Sequence, residues 1–319
     1  MKKLFLLIFS FILVNAFCFS QIRISAKTGV LTSKTDEILW NKYGDDAEIL
    51  SLLKWRTYAA PVLSLDTQFN ISKIFFAGLK GFYTIPLSYG FIEDFDCANL
   101  LSTGSSELTH YSKHDNKLDN FYKVELFFGA EKSITEKIKL AARLTTGFSY
   151  YSFTAQNGHK QYGEKIGTQR GYDIYTSWSP DIPESPMQGN IISFENLNIY
   201  AGLGASLSYT PIAPFSISLF ANALPVIKSS ARDIHYRRNQ YALFDLPFQL
   251  AFDSSLLLEY KLNKKNVLTA GFDFSALSVK EGSLFLGSDN QNWQKASNPC
   301  GIKQMTWKIW LGYTYIYEK

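Results

Sequence analysis

Alternation of apolar and polar residues is the feature that most constrains the fold of this chain. Over residues 248–262, every second position is mostly apolar, whereas the positions between include Asp253 and Glu259. The stretches 138–150 and 122–130 show the same split. Because successive side chains of a strand point to opposite sides of a sheet, each stretch predicts a strand with one apolar and one charged face. Such strands fit a soluble β-protein, or a membrane barrel with lipid outside and a polar lumen, and periodicity alone does not separate the two.

The links between the predicted strands alternate in length. About ten strands are predicted, near 22–31, 50–66, 74–92, 119–131, 137–154, 190–209, 215–235, 243–262, 266–284 and 303–317. Short links follow the even-numbered strands, near Asn70, Ser133, 211–214 and 263–265. Long links follow the odd-numbered strands, at 32–49, 93–118, 155–189, 236–242 and 285–302. Short turns at one rim and long loops at the other are typical of outer-membrane barrels. The sequence therefore predicts an all-β fold, a ten-stranded antiparallel transmembrane β-barrel with long extracellular loops and short periplasmic turns.

The N-terminal segment has the pattern of a secretory signal. Two lysines precede an apolar run over 5–14, and this run is too short to span a bilayer as a helix. A cleaved signal peptide is therefore expected over 1–20, with 21–319 forming a single barrel domain. Cys18 opens a lipoprotein alternative, which the bulky Phe17 before it opposes.

Residue usage limits the partners and cofactors. Aromatic residues make up 16% of the chain, which suits a barrel with aromatic girdles at both rims. The net charge of +4 is small for this length and argues against a nucleic-acid partner. No metal or other cofactor is expected, because the sequence holds no His/Cys cluster with zinc-site spacing. Cys97 and Cys300 both fall in predicted links at one rim, and the sequence leaves open whether they form a disulfide.

Two pairs of titratable residues follow odd-numbered strands, which predicts that both pairs lie at the outward rim. Asp233 and His235 are two residues apart, so Asp233 can hold the tautomer of the imidazole and support its charged form. Asp94 and Asp96 are also two apart, and two close carboxylates can share a proton and polarise a water. Taken singly, the first pair could be a rim salt bridge, and the second a solvated acidic loop or a weak cation site. Taken together, the pairs could hold a water and a peptide carbonyl across a barrel mouth.

These motifs resemble those of the omptin family of outer-membrane proteases. The family's Asp-x-Asp and Asp-x-His-Tyr motifs are matched by residues 94–96 and 233–236. Other segments that resemble the family are 33–37, 53–56, 112–114 and 151–155. The resemblance implies an endopeptidase in the outer membrane, with its active site facing outward and peptides or proteins as substrates. By the same resemblance, His235 is the general base that activates water and Asp233 orients it. Asp94 and Asp96 position the water, and no covalent intermediate forms.

The sequence also departs from the family. Omptins bind a basic residue at the cleavage site with two acids, of which the first is matched by Glu37, the implied substrate-binding residue. The second acid is replaced by Ala231, and Arg232 follows it, so the preference for basic residues is left open. The arginine with which omptins grip lipopolysaccharide corresponds to Tyr150, which cannot pair with phosphate as a guanidinium does. Contact with outer-membrane lipid is expected, but dependence on lipopolysaccharide is doubtful. His110 stands where the family carries a second-loop aspartate.

The leading hypothesis is an active surface endopeptidase, for which cleavage near basic residues is one option. Three alternatives are weighed against it. The runner-up is a catalytically weak or inactive barrel that acts as an adhesin or host-protein binder, which the changed specificity positions favour. A passive porin is disfavoured because ten strands enclose a narrow lumen, which inward charges such as Glu125, Arg143 and Glu259 could plug. For a lipid-modifying barrel enzyme, no Ser/His pairing stands out in the sequence.

Overall fold

The structure, a computed structural model, describes residues 21–289 and 291–318, so the predicted signal peptide over 1–20 lies outside the described residues. One short helix is present, α1 (Asn99–Ser102). The strands are β1 (Gln21–Trp40), β2 (Ile49–Asn70), β3 (Phe75–Thr84), β4 (Tyr89–Asp96), β5 (His110–Ser133), β6 (Ile138–Tyr162), β7 (Lys165–Gln169), β8 (Tyr172–Tyr175), β9 (Ser185–Pro186), β10 (Asn190–Ile212), β11 (Phe215–His235), β12 (Gln240–Leu246), β13 (Gln249–Lys261), β14 (Asn266–Leu277), β15 (Gly282–Gly287) and β16 (Gln294–Glu318).

The main sheet closes on itself. Strand β1 pairs antiparallel with β2 on one side and with β16 on the other. Three positions around the barrel are each filled by two strands placed end to end, namely β3 with β4, β12 with β13, and β14 with β15. The other seven positions are filled by β1, β2, β5, β6, β10, β11 and β16. The ten-stranded antiparallel β-barrel predicted from the sequence is therefore confirmed.

The three divided positions correct the predicted strands 74–92, 243–262 and 266–284, each of which is two strands. Proline explains two of these breaks, because Pro86 lies between β3 and β4, and Pro247 lies between β12 and β13. Proline has no backbone N–H to donate and cannot continue a ladder in the middle of a sheet.

A lipid-facing belt surrounds the end of the barrel that carries the short turns. The strands are joined there by four short connections, at 71–74, 134–137, 213–214 and 262–265. Large apolar side chains on the outer surface of this end are exposed, among them Leu63, Leu65, Leu126, Leu144, Leu203, Leu219, Ile309 and Leu311. A closed barrel with an apolar exterior fits a bilayer, since each strand that crosses the belt is paired on both sides. Among the described residues, no helix is long and apolar enough to cross a membrane.

Charged side chains fill the lumen inside this belt. Lys123 lies 3.1 Å from Glu125 and 2.5 Å from Asp253, which pairs one cation with two carboxylates. The guanidinium of Arg143 lies 3.5 Å from the centre of the Phe220 ring. The polar faces of the alternating strands therefore point inward at this depth, and the apolar faces point to lipid.

The strands continue well beyond the belt, and the polarity of their two faces reverses there. In β6, Leu140 and Leu144 point outward within the belt, whereas Tyr151, Phe153 and Ala155 are buried inside the barrel further along. The two sets lie on opposite faces of one strand, because they differ by an odd number of residues. Beyond the belt, the outside of the barrel meets water and the inside holds an apolar core.

This reversal explains why the predicted loops 32–49, 93–118, 155–189 and 285–302 are wrong over much of their length. Strand β1 runs to Trp40, β5 begins at His110, β6 ends at Tyr162 and β16 begins at Gln294. The apolar core of this outer part contains stacked rings, with Trp55 lying 5.4 Å from Phe153 between ring centroids. The strands hold the candidate site above this aromatic layer.

Candidate active site

Asp233 and His235 lie at the outer end of β11 and share its inward face. The ring nitrogen Nε2 of His235 donates a hydrogen bond of 2.7 Å to Oδ2 of Asp233. Burial lowers the pKa of His235, but the carboxylates of Asp233 and Asp94 outweigh this effect, so that its pKa is raised. The two side chains are therefore hydrogen-bonded through Nε2, and Nδ1 is the ring nitrogen that Asp233 does not contact.

Asp94 and Asp96 lie at the end of β4, which is hydrogen-bonded between β2 and β5. Asp94 is only 6% exposed, and its Oδ1 has no hydrogen-bond partner among the described residues. Burial and the charge of Asp96 raise the pKa of Asp94 to about 8, although His235 and Arg238 act in the opposite direction. Asp96 lies 3.9 Å from the guanidinium of Arg238. The inner member of this acid pair is therefore poised to hold a proton near neutral pH.

The structure brings the two pairs together. A small cavity of about 40 Å³ is lined by both Asp94 and His235, with Ser112 and Tyr162 among its other walls. About 10–15 Å³ of space accessible to a water-sized sphere is enough to hold a buried water, so this cavity has room for a water. Asp96, Asp233 and His235 also line a larger cleft of about 800 Å³ that opens beside them. All four residues of the two predicted pairs thus border one connected region of the barrel mouth.

Glu37 lines the same large cleft from the inward face of β1. It is 4% exposed and accepts a hydrogen bond of 3.4 Å from the indole nitrogen of Trp55. Burial and the charge of Asp233 raise the pKa of Glu37 well above its ordinary value. Ala231 is buried on β11, two residues before Asp233 on the same face.

The model of the Omptin family matches residues 18–317, almost the whole sequence. The chain belongs to the Omptin family. Like the omptins that its motifs resemble, it is an outer-membrane β-barrel. Among curated proteins, none matches the sequence significantly.

Comparison with solved structures supports the fold of this omptin. The crystal structure of the outer membrane protease OmpT from Escherichia coli matches with a TM-score of 0.81 at 18% identity, over 93% of this chain and 97% of that one. The CymD monoaromatic hydrocarbon channel matches with a TM-score of only 0.34 at 10% identity, over 94% and 90% of the two chains. The outer membrane protein OprG from Pseudomonas aeruginosa matches with a TM-score of 0.32 at 9% identity, over 93% and 96%. Only the first similarity is close enough to bear on the architecture.

Two residues that sequence reasoning did not select also border the site of this omptin. Arg238 lies in the turn after β11. Burial lowers the pKa of Arg238, but the neighbouring Asp96, Tyr162 and Asp94 outweigh burial, so that the pKa is raised. Burial, followed by the charge of Asp94, raises the pKa of Tyr162 to about 12. Its position three residues after His235 could have indicated from the sequence that Arg238 lies near the site. Tyr162 falls within a predicted loop and offered none.

Two histidines near the site are held by specific contacts. His110, at the family's second-loop aspartate position, lines the large cleft, and its ring lies 4.4 Å from Tyr162 and 4.5 Å from Tyr175 between centroids. His114 Nδ1 donates to the carbonyl of Asn157, which leaves Nε2 to accept a hydrogen bond of 2.9 Å from the Ser112 hydroxyl. Burial lowers the pKa of both His110 and His114. Both rings are therefore expected to be neutral at neutral pH.

Arg232 differs from the sequence-based interpretation, which counted its guanidinium against cation binding. It lies on the outer face of β11 and forms an ion pair of 2.6 Å with Glu195 on β10. Residues 231 and 232 must point to opposite sides of the sheet, so of these two departures only the missing carboxylate at Ala231 affects the inside of the barrel. Tyr150 is also on the outside and donates a hydrogen bond of 2.8 Å to the same Glu195.

The cysteines Cys97 and Cys300 are both free thiols. Cys97 follows β4 in a connection, as expected, but Cys300 lies buried within β16 rather than in a loop. In the part of the chain that the structure describes, no group of three or more His, Cys, Asp or Glu residues could hold a metal ion.

Proposed function

We propose that this omptin is an outer-membrane endopeptidase that hydrolyses peptide bonds with a water held between the Asp233–His235 dyad and the Asp94–Asp96 pair. The observation that carries the proposal is the cavity of about 40 Å³ that Asp94 and His235 line together. In the proposed reaction, His235 carries out both proton transfers that amide hydrolysis needs, and Asp94, which lines the same small cavity, donates a hydrogen bond to the developing oxyanion.

The reaction begins when neutral His235 accepts a proton from the water through Nδ1. Asp233 accepts the hydrogen bond from Nε2 and stabilises the imidazolium that forms. The water oxygen attacks the peptide carbonyl carbon, and the protonated Asp94, which shares its proton with Asp96, donates a hydrogen bond to the developing oxyanion. His235 then passes its proton to the leaving amine as the C–N bond breaks. No covalent enzyme intermediate forms on this route, and the role of the Asp94–Asp96 pair and of Asp233 makes the proposed enzyme an aspartic-type endopeptidase.

The large cleft binds the substrate chain in this proposal, and Glu37 contacts the side chain next to the cleaved bond. The dyad lies at the end of β11, away from the short connections, and both ends of the described chain lie at the short-turn rim, where Gln21 pairs with Asn70 and Glu318. With short turns on the periplasmic side, the site faces the outside of the cell.

The test is cleavage of a peptide library by the refolded protein. Wild type is expected to cleave, and His235→Ala is expected to lose about 10²- to 10⁴-fold in rate. His159→Ala is a matched control, because His159 lies on β6 outside the two cavities of the site, 3.6 Å from Glu184. Heat-modifiable migration of each variant reports that the barrel has formed. Equal rates for wild type and His235→Ala would overturn the proposal.

A second candidate function is an adhesin or binder of host proteins that has kept the barrel. Ala231 favours this alternative, because it leaves the inward face beside the dyad without the carboxylate that the omptin motif carries at this position. A folded wild-type protein that cleaves no peptide but binds protein ligands would support this alternative.

A further inference from the structure

The wall of the large cleft between the dyad and Glu37 is mostly apolar. Going round the barrel from the dyad strand β11 to the Glu37 strand β1, the intervening strands are β12, β15 and β16. Strand β12 contributes Ala242 and Phe244, and β15 contributes Leu284 and Leu286. Each pair is two residues apart, so both of its side chains point inward. The space between the dyad and Glu37 is therefore lined mainly by hydrocarbon, with the amide of Gln240 beside His235 as a polar member.

Among the described residues, three of the four carboxyls that line the cleft already face a basic side chain of this chain. Asp233 is bonded to His235, and Asp96 faces Arg238. Asp173 of β8 also lines the cleft and lies 2.8 Å from the ammonium of Lys165. A lysine or arginine of a substrate would have to displace one of these partners to find a negative charge.

Glu37 is the one lining carboxyl for which no ion pair is formed within the described residues. It is buried, and its ionisation is opposed by burial and by the neighbouring charge of Asp233. The place two residues before Asp233 holds the methyl group of Ala231, whose neighbour across the strand pair is Phe244. A guanidinium would therefore lose its hydration among mostly apolar side chains, and burial opposes the ionisation of the nearby carboxyl of Glu37.

The geometry points to a pocket that selects a large apolar side chain, such as Leu, Met or Phe, next to the cleaved bond instead of Arg or Lys. This inference rests on the proposed peptidase function and adds its substrate class. The apolar side chains of β12 and β15 supply the binding energy, and the carboxyl of Glu37 keeps its hydrogen bond from Trp55.

The test is a set of peptides that differ only at the residue before the scissile bond, assayed at pH 7 with the full-length refolded protein. We expect kcat/KM for Leu or Phe to exceed kcat/KM for Arg or Lys by about 10²-fold. Cleavage mainly after Arg or Lys would overturn the apolar pocket and leave the proposed function standing. If the folded protein cleaves none of the peptides, the proposed function fails, and this inference fails with it.

Two variants locate the preference in the wall of the cleft. Phe244→Ala enlarges the pocket, so we expect Trp to gain on Leu by about tenfold in kcat/KM, with no gain for Arg. Leu203→Ala makes a similar truncation on the lipid-facing outside and should leave the preference unchanged. An unchanged preference in folded Phe244→Ala would contradict the inference. If Phe244→Ala does not form a barrel, the wild-type peptide series decides alone.

Discussion

The carboxylate of Asp233 controls the pH at which His235 can act as a base. Its hydrogen bond to His235 is 2.7 Å long, and Asp233→Asn keeps the shape of the side chain while removing the charge. Hydrogen bonds to charged groups are worth about 1.5–3 kcal/mol, and about 1.4 kcal/mol corresponds to one pKa unit. The pKa of His235 should therefore fall by about one to two units in the variant.

The sign of the effect follows from which form is active. Neutral imidazole is the base, so activity appears as the pH rises through the pKa of His235. Burial lowers this pKa in the wild type, but Asp233 and Asp94 more than compensate, and the acid limb should lie above the ordinary histidine value. In Asp233→Asn, the limb should move about one to two units toward acid, while the maximal rate falls about 10²- to 10⁴-fold.

The assay is kcat/KM of a fluorogenic peptide across the pH range of the acid limb. Asp36→Asn is the matched control, because Asp36 lies on the outer face of β1, away from the site, and forms an ion pair of 2.8 Å with Arg56. Its profile should coincide with that of the wild type. An acid limb of Asp233→Asn that superimposes on the wild-type limb would refute the role given to this hydrogen bond.

Three other predictions test separate parts of the account. Protonated Asp94 is the active form, so wild-type activity should decline as the pH rises through about 8. In Asp94→Asn, the residual activity should no longer show this alkaline decline. A decline that persists in the variant would show that another group causes it. Trp55→Ala should lower the free energy of unfolding by about 3–5 kcal/mol, because it removes a ring stacked on Phe153 and Phe194. Urea titration, with heat-modifiable migration as the readout of folding, measures this loss. A loss below about 1 kcal/mol would contradict the packing argument. Purified protein in detergent should cleave peptides without lipopolysaccharide, because Tyr150 faces Glu195 instead of offering a guanidinium to a phosphate; strict activation by added lipopolysaccharide would show the opposite.

The number of strands was predictable because each crosses the lipid belt with a simple alternation. In β13, for example, Leu250 and Phe252 face lipid while Asp253 and Glu259 face the lumen. The alternation could not reveal how far the strands extend, since the apolar face changes sides where lipid ends. Tyr151 and Phe153 point inward on the same strand that sends Leu144 outward, and a sequence pattern with a change of phase looks like the end of a strand.

The candidate site was predictable to the extent that spacing fixes direction. Residues two apart on a strand end must share a face, which brought Asp233 beside His235. The same rule places Arg232 outside the barrel, although the sequence interpretation counted its guanidinium against cation binding. Tyr162 depends on the register between β5 and β6 far above the belt, and no local pattern encodes that pairing.

The shared water is tested most directly by a double-mutant cycle on kcat/KM with Asp94→Asn, His235→Gln and the combined variant. If both side chains act on one water, either single change disables the same step, so the double variant should lose little more than the worse single variant. Two losses that multiply in the double variant would show that Asp94 and His235 act independently, and would contradict the convergence of the two pairs on one water.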